Sequence, residues 1–334
     1  MSAPDVKTPE RAPAWSQPGN GLLWGKDFYT TGPRDIAIDT PRADGVFRWL
    51  HMSLADNGAR QWIERADFLP QNVREAMLAP DTHQSSFVEG ETLSCVLQDL
   101  QRDFEIRYTD RAGTVHVAIT PDMIITARMH PLGFADVLRD RFAEELFIDS
   151  AQRALDVLVS AIVANQAALV TQLSARVQKA EDAVLAGKAP PSARDLLELR
   201  RRLSIIHRMM DGTKRVLMRL EEDDDLDAAL HPTVEKLTQR AQGLDEDVTA
   251  AQGQVRMLRE ELELAANQRI NRNLYILSVM TVLLMPATLV TGFFGMNTGA
   301  LPFAHGSGTW VAGGVALLAS LATYVTLHWR GFFR

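Results

Sequence analysis

The chain has 334 residues, a formal net charge of −7 and a mean hydropathy of −0.09, which as averages describe one or two soluble domains. Its single cysteine, Cys95, excludes an internal disulfide framework and a cysteine zinc cluster, and it fits a reducing cytoplasm. The averages hide an uneven distribution, because residues 273–329 contain no Asp, Glu, Lys or Arg.

The first part of the chain predicts a tail followed by a mixed domain. Residues 1–21 are polar and proline-rich, show no signal peptide and are expected to be disordered. Residues 22–142 predict a cytoplasmic domain of mixed α/β content, which gives an α+β fold class. Helical spacing predicts a helix over residues 57–78, with Pro70 as a break or boundary. Short apolar runs bounded by Gly, Asp or Pro predict strands over residues 46–54, 92–97, 115–119 and 123–127.

Residues 143–272 predict long cytoplasmic helices that form a stalk. Residues 143–185 contain no Pro or Gly and have strong apolar periodicity, and Ser192 is placed to cap the next helix. That helix ends in an acidic run, for which a solvated loop is favoured and the gathering of divalent cations at a cytoplasmic mouth is the alternative. The run contains Glu221, Glu222, Asp223, Asp224, Asp225 and Asp227.

A further helix is predicted from about residue 233 to residue 296, because no proline follows Pro232 before Pro286. At 1.5 Å per residue it would be roughly 95 Å long. Its apolar residues alternate at spacings of three and four, which defines a heptad seam. The seam consists of Val234, Leu237, Ala241, Leu244, Val248, Ala251, Val255, Leu258, Leu262 and Ala265.

The charge-free block predicts two membrane-spanning helices, because each apolar run reaches the roughly 20 residues that a bilayer core requires. The first span falls within residues 273–297 and the second within residues 310–329, which tryptophans bracket. Arginines precede the first span and follow the second, at positions 269, 272, 330 and 334. We expect the protein to lie in the inner (plasma) membrane. The positive-inside rule then places both termini, including the tail 330–334, in the cytoplasm. The loop 298–309 lies outside.

One face of the first span carries most of its small polar side chains. Polar groups in a membrane face a protein interior or a water path, although ordinary helix packing through small residues is the alternative. Two helices per chain cannot enclose a path, so a conduit requires a symmetric homo-oligomer. Leu274 and Met285 are the candidate constrictions. The face contains Asn271, Leu274, Ser278, Thr281, Met285, Thr288 and Gly292.

The tripeptide Gly295-Met296-Asn297 stands where the first span meets the outside. The sequence of residues 271–302, NRNLYILSVMTVLLMPATLVTGFFGMNTGALP, resembles the membrane segment of the CorA family of divalent-cation transporters. The resemblance implies a funnel-shaped homopentamer in which the first span lines the pore and the second surrounds it. It also implies that Asn297 meets the hydrated ion, transiently, at the outer entrance.

The loop after the motif bears on the transported metal. Magnesium members of the family typically carry a Met-Pro-Glu loop, whereas residues 298–302 here read TGALP and lack an acid. This loop is more similar to that of the ZntB branch of the family, which is associated with zinc. The similarity therefore predicts zinc as the transported metal, with magnesium, cobalt or nickel as the alternatives. A non-conducting, membrane-anchored sensor or scaffold is the alternative from another class. No catalytic motif is present, and neither an enzyme activity, a tightly bound cofactor nor a nucleic-acid partner is expected.

Overall fold

In the computed structural model, the residues described are 21–80, 83–102, 111–144, 146–188, 191–295 and 308–330. They fall into two compact units that divide between Met257 and Leu258. The first unit contains a sheet whose strands are β1 (Leu22–Tyr29), β2 (Gly32–Asp35), β3 (Phe47–Ser53), β4 (Ser85–Glu89), β5 (Thr92–Leu100), β6 (Ala112–Thr120) and β7 (Met123–Arg128).

The seven strands lie in the order β2-β1-β3-β7-β6-β5-β4. Only β3 and β7 pair in parallel, with Leu50 opposite Ile125, and the other neighbours are antiparallel. The four predicted strands are confirmed as β3, β5, β6 and β7. Both faces of the central strands are buried, which explains why their sequences are nearly continuous apolar runs.

Helices cover both faces of the sheet. On one face lie α1 (Asn57–Glu64) and α2 (Gln71–Leu78), whose residues Ile63 and Val73 pack with Leu50 of β3. The helix predicted over residues 57–78 is therefore two helices. They are separate because the ring of Pro70 fits the position before the first turn of α2 but not the interior of one longer helix.

The opposite face is covered by α3 (Phe134–Ala143), α4 (Ala151–Leu185), α5 (Ala193–Glu221) and the beginning of α6 (His231–Gly295). Ser192 caps α5 as the sequence predicts, because its side chain accepts a hydrogen bond from the Asp195 amide at 3.2 Å. The heptad seam of α6 is largely used within the chain. Its members from Val234 to Leu258 are buried, whereas Leu262 is half-buried and Ala265 is exposed.

Polar contacts between α4 and α6 accompany this apolar packing. Asp156 of α4 is 9% exposed, and its carboxylate accepts a hydrogen bond from Lys236 Nζ of α6 at 3.2 Å. It also accepts one from Arg153 Nη1 of its own helix at 3.2 Å. Arg240 Nη1 donates to Ser160 Oγ at 2.7 Å. The N-terminal part of α6 is thus held to the first unit by charge-assisted hydrogen bonds as well as by its seam.

Among the described residues, three helices are long and apolar enough to cross a membrane. Burial distinguishes them, because 67% of the apolar window of Ala151–Leu185 is covered by the first unit. The corresponding shares are 0% for His231–Phe293, in α6, and 11% for Trp310–Trp329, in α7 (Gly308–Trp329). Hence α4 is a core helix, and the uncovered apolar surfaces of α6 and α7 are suited to lipid.

Asp99 of β5 is a fully buried acid that connects three elements. Its carboxylate accepts hydrogen bonds from the Phe134 amide of α3 at 2.6 Å and from Asn165 Nδ2 of α4 at 2.9 Å. Burial raises the pKa of Asp99 to about 6, although these hydrogen bonds favour the charged form. Protonation of Asp99 is therefore easier in the folded protein than in the unfolded chain.

The substitution Asp99→Asn is expected to remove a component of the pH dependence of stability. Because the pKa of Asp99 rises from 3.8 to about 6 on folding, protonation stabilises the fold fully below pH 3.8. That stabilisation is lost as the pH rises through 6 and amounts to about 3 kcal/mol. Unfolding of the detergent-solubilised protein at pH 4 to 7 should show the wild type losing this stability relative to Asp99→Asn. Parallel pH profiles would contradict the assignment, and the exposed substitution Asp122→Asn is the control.

Candidate functional site: the polar face of the first span

The structure places the seven residues of the predicted polar face along one side of α6, and all seven are exposed. They share a side because spacings of three and four residues return to nearly the same direction on a helix of 3.6 residues per turn. Leu274 is 55% exposed and Met285 is 64% exposed, so both candidate constrictions project freely from the chain.

The opposite side of the same span is apolar and partly covered. Val279, Leu283, Ala287 and Val290 are half-buried, in contrast to the polar face. On α7, the residue with least exposure is Ala316, at 8%. The half-buried residues Ala312, Ser320 and Thr323 lie on the same face of α7 as Ala316. Small residues at this spacing allow close helix approach in a membrane. Among the described residues, the burial of α6 within the span thus lies on its apolar side and that of α7 mainly on its small-residue side, whereas the polar face of α6 is exposed.

The threonine hydroxyls of the polar face are oriented by their own helix. Thr281 Oγ1 donates to the Leu277 carbonyl at 2.8 Å, and Thr288 Oγ1 donates to the Leu284 carbonyl at 2.9 Å. Since each hydroxyl has a single proton, these oxygens are left with lone pairs that can accept hydrogen bonds. The face thus presents acceptors, which suit a cation that retains part of its water shell.

Pro286 adds a backbone acceptor in the same part of the span. It lies inside α6, and a proline has no N–H. The carbonyl of Val282 therefore lacks the amide donor four residues later that it would have in an uninterrupted helix. Such a carbonyl is tolerated in a membrane where protein or water can reach it.

Gly292 is not required by contacts within its own chain. A Cβ atom added at Gly292 would meet no heavy atom within 4 Å, and the same is true at Gly295. Any restriction on the size of residue 292 therefore comes from what surrounds the chain. Gly295 ends α6, whereas Met296, Asn297 and residues 298–307 lie outside the described residues.

The acidic run forms the connection between α5 and α6. Asp223 Oδ1 accepts a hydrogen bond from the Asp225 amide at 3.1 Å, and Asp227 Oδ1 accepts one from the Ala229 amide at 3.0 Å. Leu226 between them is buried. In the part of the chain that the structure describes, no group of three or more His, Cys, Asp or Glu is arranged to hold a metal ion. A cation-gathering role for the run stays a prediction.

Comparison with known proteins agrees with this architecture. Residues 44–328 match the family model described as CorA-like Mg²⁺ transporter protein. The structure of the full-length CmaX protein is similar with a TM-score of 0.77 at 21% identity, over 94% of this chain and 100% of that chain. The complete CorA magnesium transporter from Methanocaldococcus jannaschii is similar with a TM-score of 0.76 at 14% identity, over 91% of this chain and 96% of the other.

A third similar structure is the cytoplasmic domain of ZntB from Vibrio parahaemolyticus RIMD 2210633, with a TM-score of 0.63 and 13% identity over 75% of this chain and 99% of that domain. At these identities the structural likenesses establish the fold, and the family match establishes the class. The class is a membrane transporter of divalent cations, with a mixed-sheet domain, long helices and apolar C-terminal helices. The chain belongs to the CorA family.

The substitution Gly292→Leu is expected to reduce metal flux without affecting the fold of the chain. Residue 292 has open space within the chain, so the added side chain would project from the polar face. Uptake into proteoliposomes should fall about tenfold or more if that face lines a path. Gly313→Leu on α7 is the matched control, since Gly313 also has no heavy atom within 4 Å of an added Cβ. Equal flux in the two variants would argue against a conduit along this face.

Proposed function

We propose that the protein is a homopentamer in which five copies of α6 surround a conduit for a hydrated divalent cation across the inner membrane. The observation that carries this proposal is the arrangement of the first span. Its apolar side is partly covered, whereas its polar side is exposed along seven positions. A polar face directed to lipid is unfavourable, and further copies of the chain are the partners that would cover it.

The chemistry of the face supports weak, transient binding of the ion. Its side chains are neutral, and the threonine oxygens are acceptors because their protons are engaged within α6. An ion that keeps part of its hydration shell can pass along hydroxyl, amide and carbonyl oxygens without being trapped. Asn297 at the outer end would contribute a further neutral carbonyl oxygen. Leu274 and Met285 would narrow the path.

Zinc is the substrate that we favour. The loop after Asn297 reads TGALP and lacks the carboxylate of the Met-Pro-Glu loop, and in this it is similar to the ZntB branch. The polar face contains no Cys or His. It therefore has none of the ligands of a tight zinc site, but a transport path must also release its ion. Magnesium, cobalt and nickel are the competing substrates.

The substitution Asn297→Ala should abolish most metal uptake into proteoliposomes, because the entrance would lose the amide oxygen that meets the hydrated ion. Asn273→Ala is a matched control on α6, at the beginning of the first span and outside the polar face. Native mass spectrometry of both variants should give five chains per particle. Unchanged uptake by Asn297→Ala pentamers would exclude the entrance role. A dimeric particle would exclude the conduit and favour a non-conducting scaffold.

Flux measurements with zinc and magnesium, each with and without a pH gradient, test the choice of metal. We expect zinc to enter proteoliposomes faster than magnesium at equal concentration, because the entrance lacks the carboxylate of magnesium members. A dye reporting each metal inside the vesicles provides the readout, and vesicles without protein are the control. Robust magnesium flux without zinc flux would reverse the assignment. Zinc flux that requires the gradient would indicate proton coupling.

A further inference from the structure

A cavity of about 710 Å³ lies in the first unit, far along the sequence from the spans. It is lined mainly by residues of β1, the end of β7 and α3, together with Asp35 of β2 and Arg102 after β5, and none of the described lining residues belongs to α6 or α7. One part of its wall is apolar, with Trp24, Pro131 and Phe142, and another part carries charged side chains. A cavity with this combination of walls is typical of sites for small organic molecules.

The charged wall has an excess of positive charge. Four cationic side chains line the cavity, against the two carboxylates of Asp35 and Asp136, although the whole chain has a net charge of −7. Asp35 pairs with Lys26, whose Nζ lies 2.7 Å from Asp35 Oδ1. Asp136 is shared by two arginines. The four cations are Lys26, Arg102, Arg128 and Arg139.

Arg128 differs from the other three cations. Its Nε donates to His51 Nε2 at 2.9 Å, and among the described residues no carboxylate lies within 4.0 Å of its guanidinium nitrogens. Burial lowers the pKa of Arg128 to about 10, so the guanidinium remains charged at neutral pH. The terminal nitrogens of Arg128 are thus available to an anion in the cavity, and a guanidinium can bind carboxylate or phosphate oxygens in pairs.

The histidine that orients Arg128 is itself held in one protonation state. Burial, with the adjacent charge of Arg128, lowers the pKa of His51, which keeps the imidazole neutral. His51 Nδ1 lies 2.8 Å from Thr126 Oγ1, whose hydroxyl donates to the Leu50 carbonyl. Nδ1 is therefore the protonated nitrogen, and Nε2 is free to accept from Arg128.

Ring contacts hold Trp24 in place at the aromatic wall. The Trp24 indole is half-buried and stacks on His51 with ring centroids 5.0 Å apart. Phe142 meets Trp24 edge-on at 5.3 Å. Trp24 therefore has a fixed orientation at the cavity wall, close to the arginine that His51 orients. Aromatic and guanidinium surfaces together recognise planar ring systems through stacking and cation–π contacts.

We propose that this cavity binds a small organic anion in which a planar ring system carries a phosphate or carboxylate group. The ring would lie against Trp24, and the anionic group would bind Arg128, with Arg102 and Arg139 at the rim. Arg102 and Arg139 are 43% and 71% exposed at their side chains, so they can reorient toward a ligand. The site is separate from the proposed conduit and does not depend on transport.

Isothermal titration of the full-length protein in detergent, without a metal gradient, tests this proposal. The probes are adenosine 5′-monophosphate and indole-3-acetate, compared with adenosine and inorganic phosphate alone. We expect saturable binding of at least one probe, tighter than either fragment. Arg128→Gln should weaken that binding about tenfold or more, because it removes charged hydrogen bonds. Arg215→Gln, which removes an exposed arginine paired with Asp211 on α5, should bind like the wild type.

Two further variants keep the test decisive if Arg128→Gln is unstable. Ala135→Phe adds a large side chain in the cavity wall without changing charge and should block binding. Arg128→Lys keeps the charge but removes the paired geometry and should bind more weakly than the wild type. Binding of either probe supports a site for a planar ring that carries an anionic group. Which probe binds more tightly shows whether that group is a phosphate or a carboxylate. Absence of binding of both probes, or binding unaffected by Ala135→Phe, would overturn the proposal.

Discussion

The constraint on which the rest of this molecule depends is that hydrocarbon cannot solvate a polar side chain. A first span with a neutral polar face satisfies that constraint only if something other than lipid covers the face. Within one chain, none of the described residues covers it, because the half-buried residues Val279, Leu283, Ala287 and Val290 lie on the other side of α6. The exposed polar face is therefore the feature of the sequence that leads us to propose assembly with further copies of the chain.

The long helix α6 shows how one element meets two environments. Its first turns are held in the first unit by an apolar seam and by Asp156, which receives Lys236. After Leu258 the burial of the seam declines, with Leu262 half-buried and Ala265 exposed. The same periodicity thus stabilises the fold of one chain at its beginning, and further along its apolar residues are left exposed, where the proposed homopentamer would use them. Sequence periodicity alone does not distinguish these two uses.

Much of the fold could be predicted, because buried strands appear in the sequence as local runs of apolar residues. The strands β3, β5, β6 and β7 are buried on both faces and read as apolar runs. The sequence does not indicate β1, because an aspartate such as Asp27 is typical of a loop, yet Asp27 is buried and accepts a hydrogen bond from Arg48 Nε of β3 at 2.7 Å. It does not indicate β4 either, because this strand is polar, and its Ser86 donates to the Val216 carbonyl of α5. In both cases the partner lies far away in sequence.

The sites follow the same rule. The polar face of the first span lies within one helix, so spacing alone brings its residues together. The basic cavity could not be predicted, because its residues come from β1, β2, β7, α3 and the segment after β5, and no local pattern links Trp24 with Arg128. His51, which orients Arg128, stands in a buried strand without any local motif around it. Its role depends on the pairing of β3 with β7.

The inward hydrogen bonds of Thr281 and Thr288 have a consequence for the sign of the ion. Each hydroxyl donates its hydrogen bond to a carbonyl of its own helix, so these positions offer lone pairs but no donor to an approaching solute. An anion, which must be solvated by donors, would find none at these two levels, whereas the water around a cation would find acceptors at both. In the proposed conduit, these two levels would therefore favour positive over negative ions without a fixed charge, and so without the energy of placing a charge in hydrocarbon.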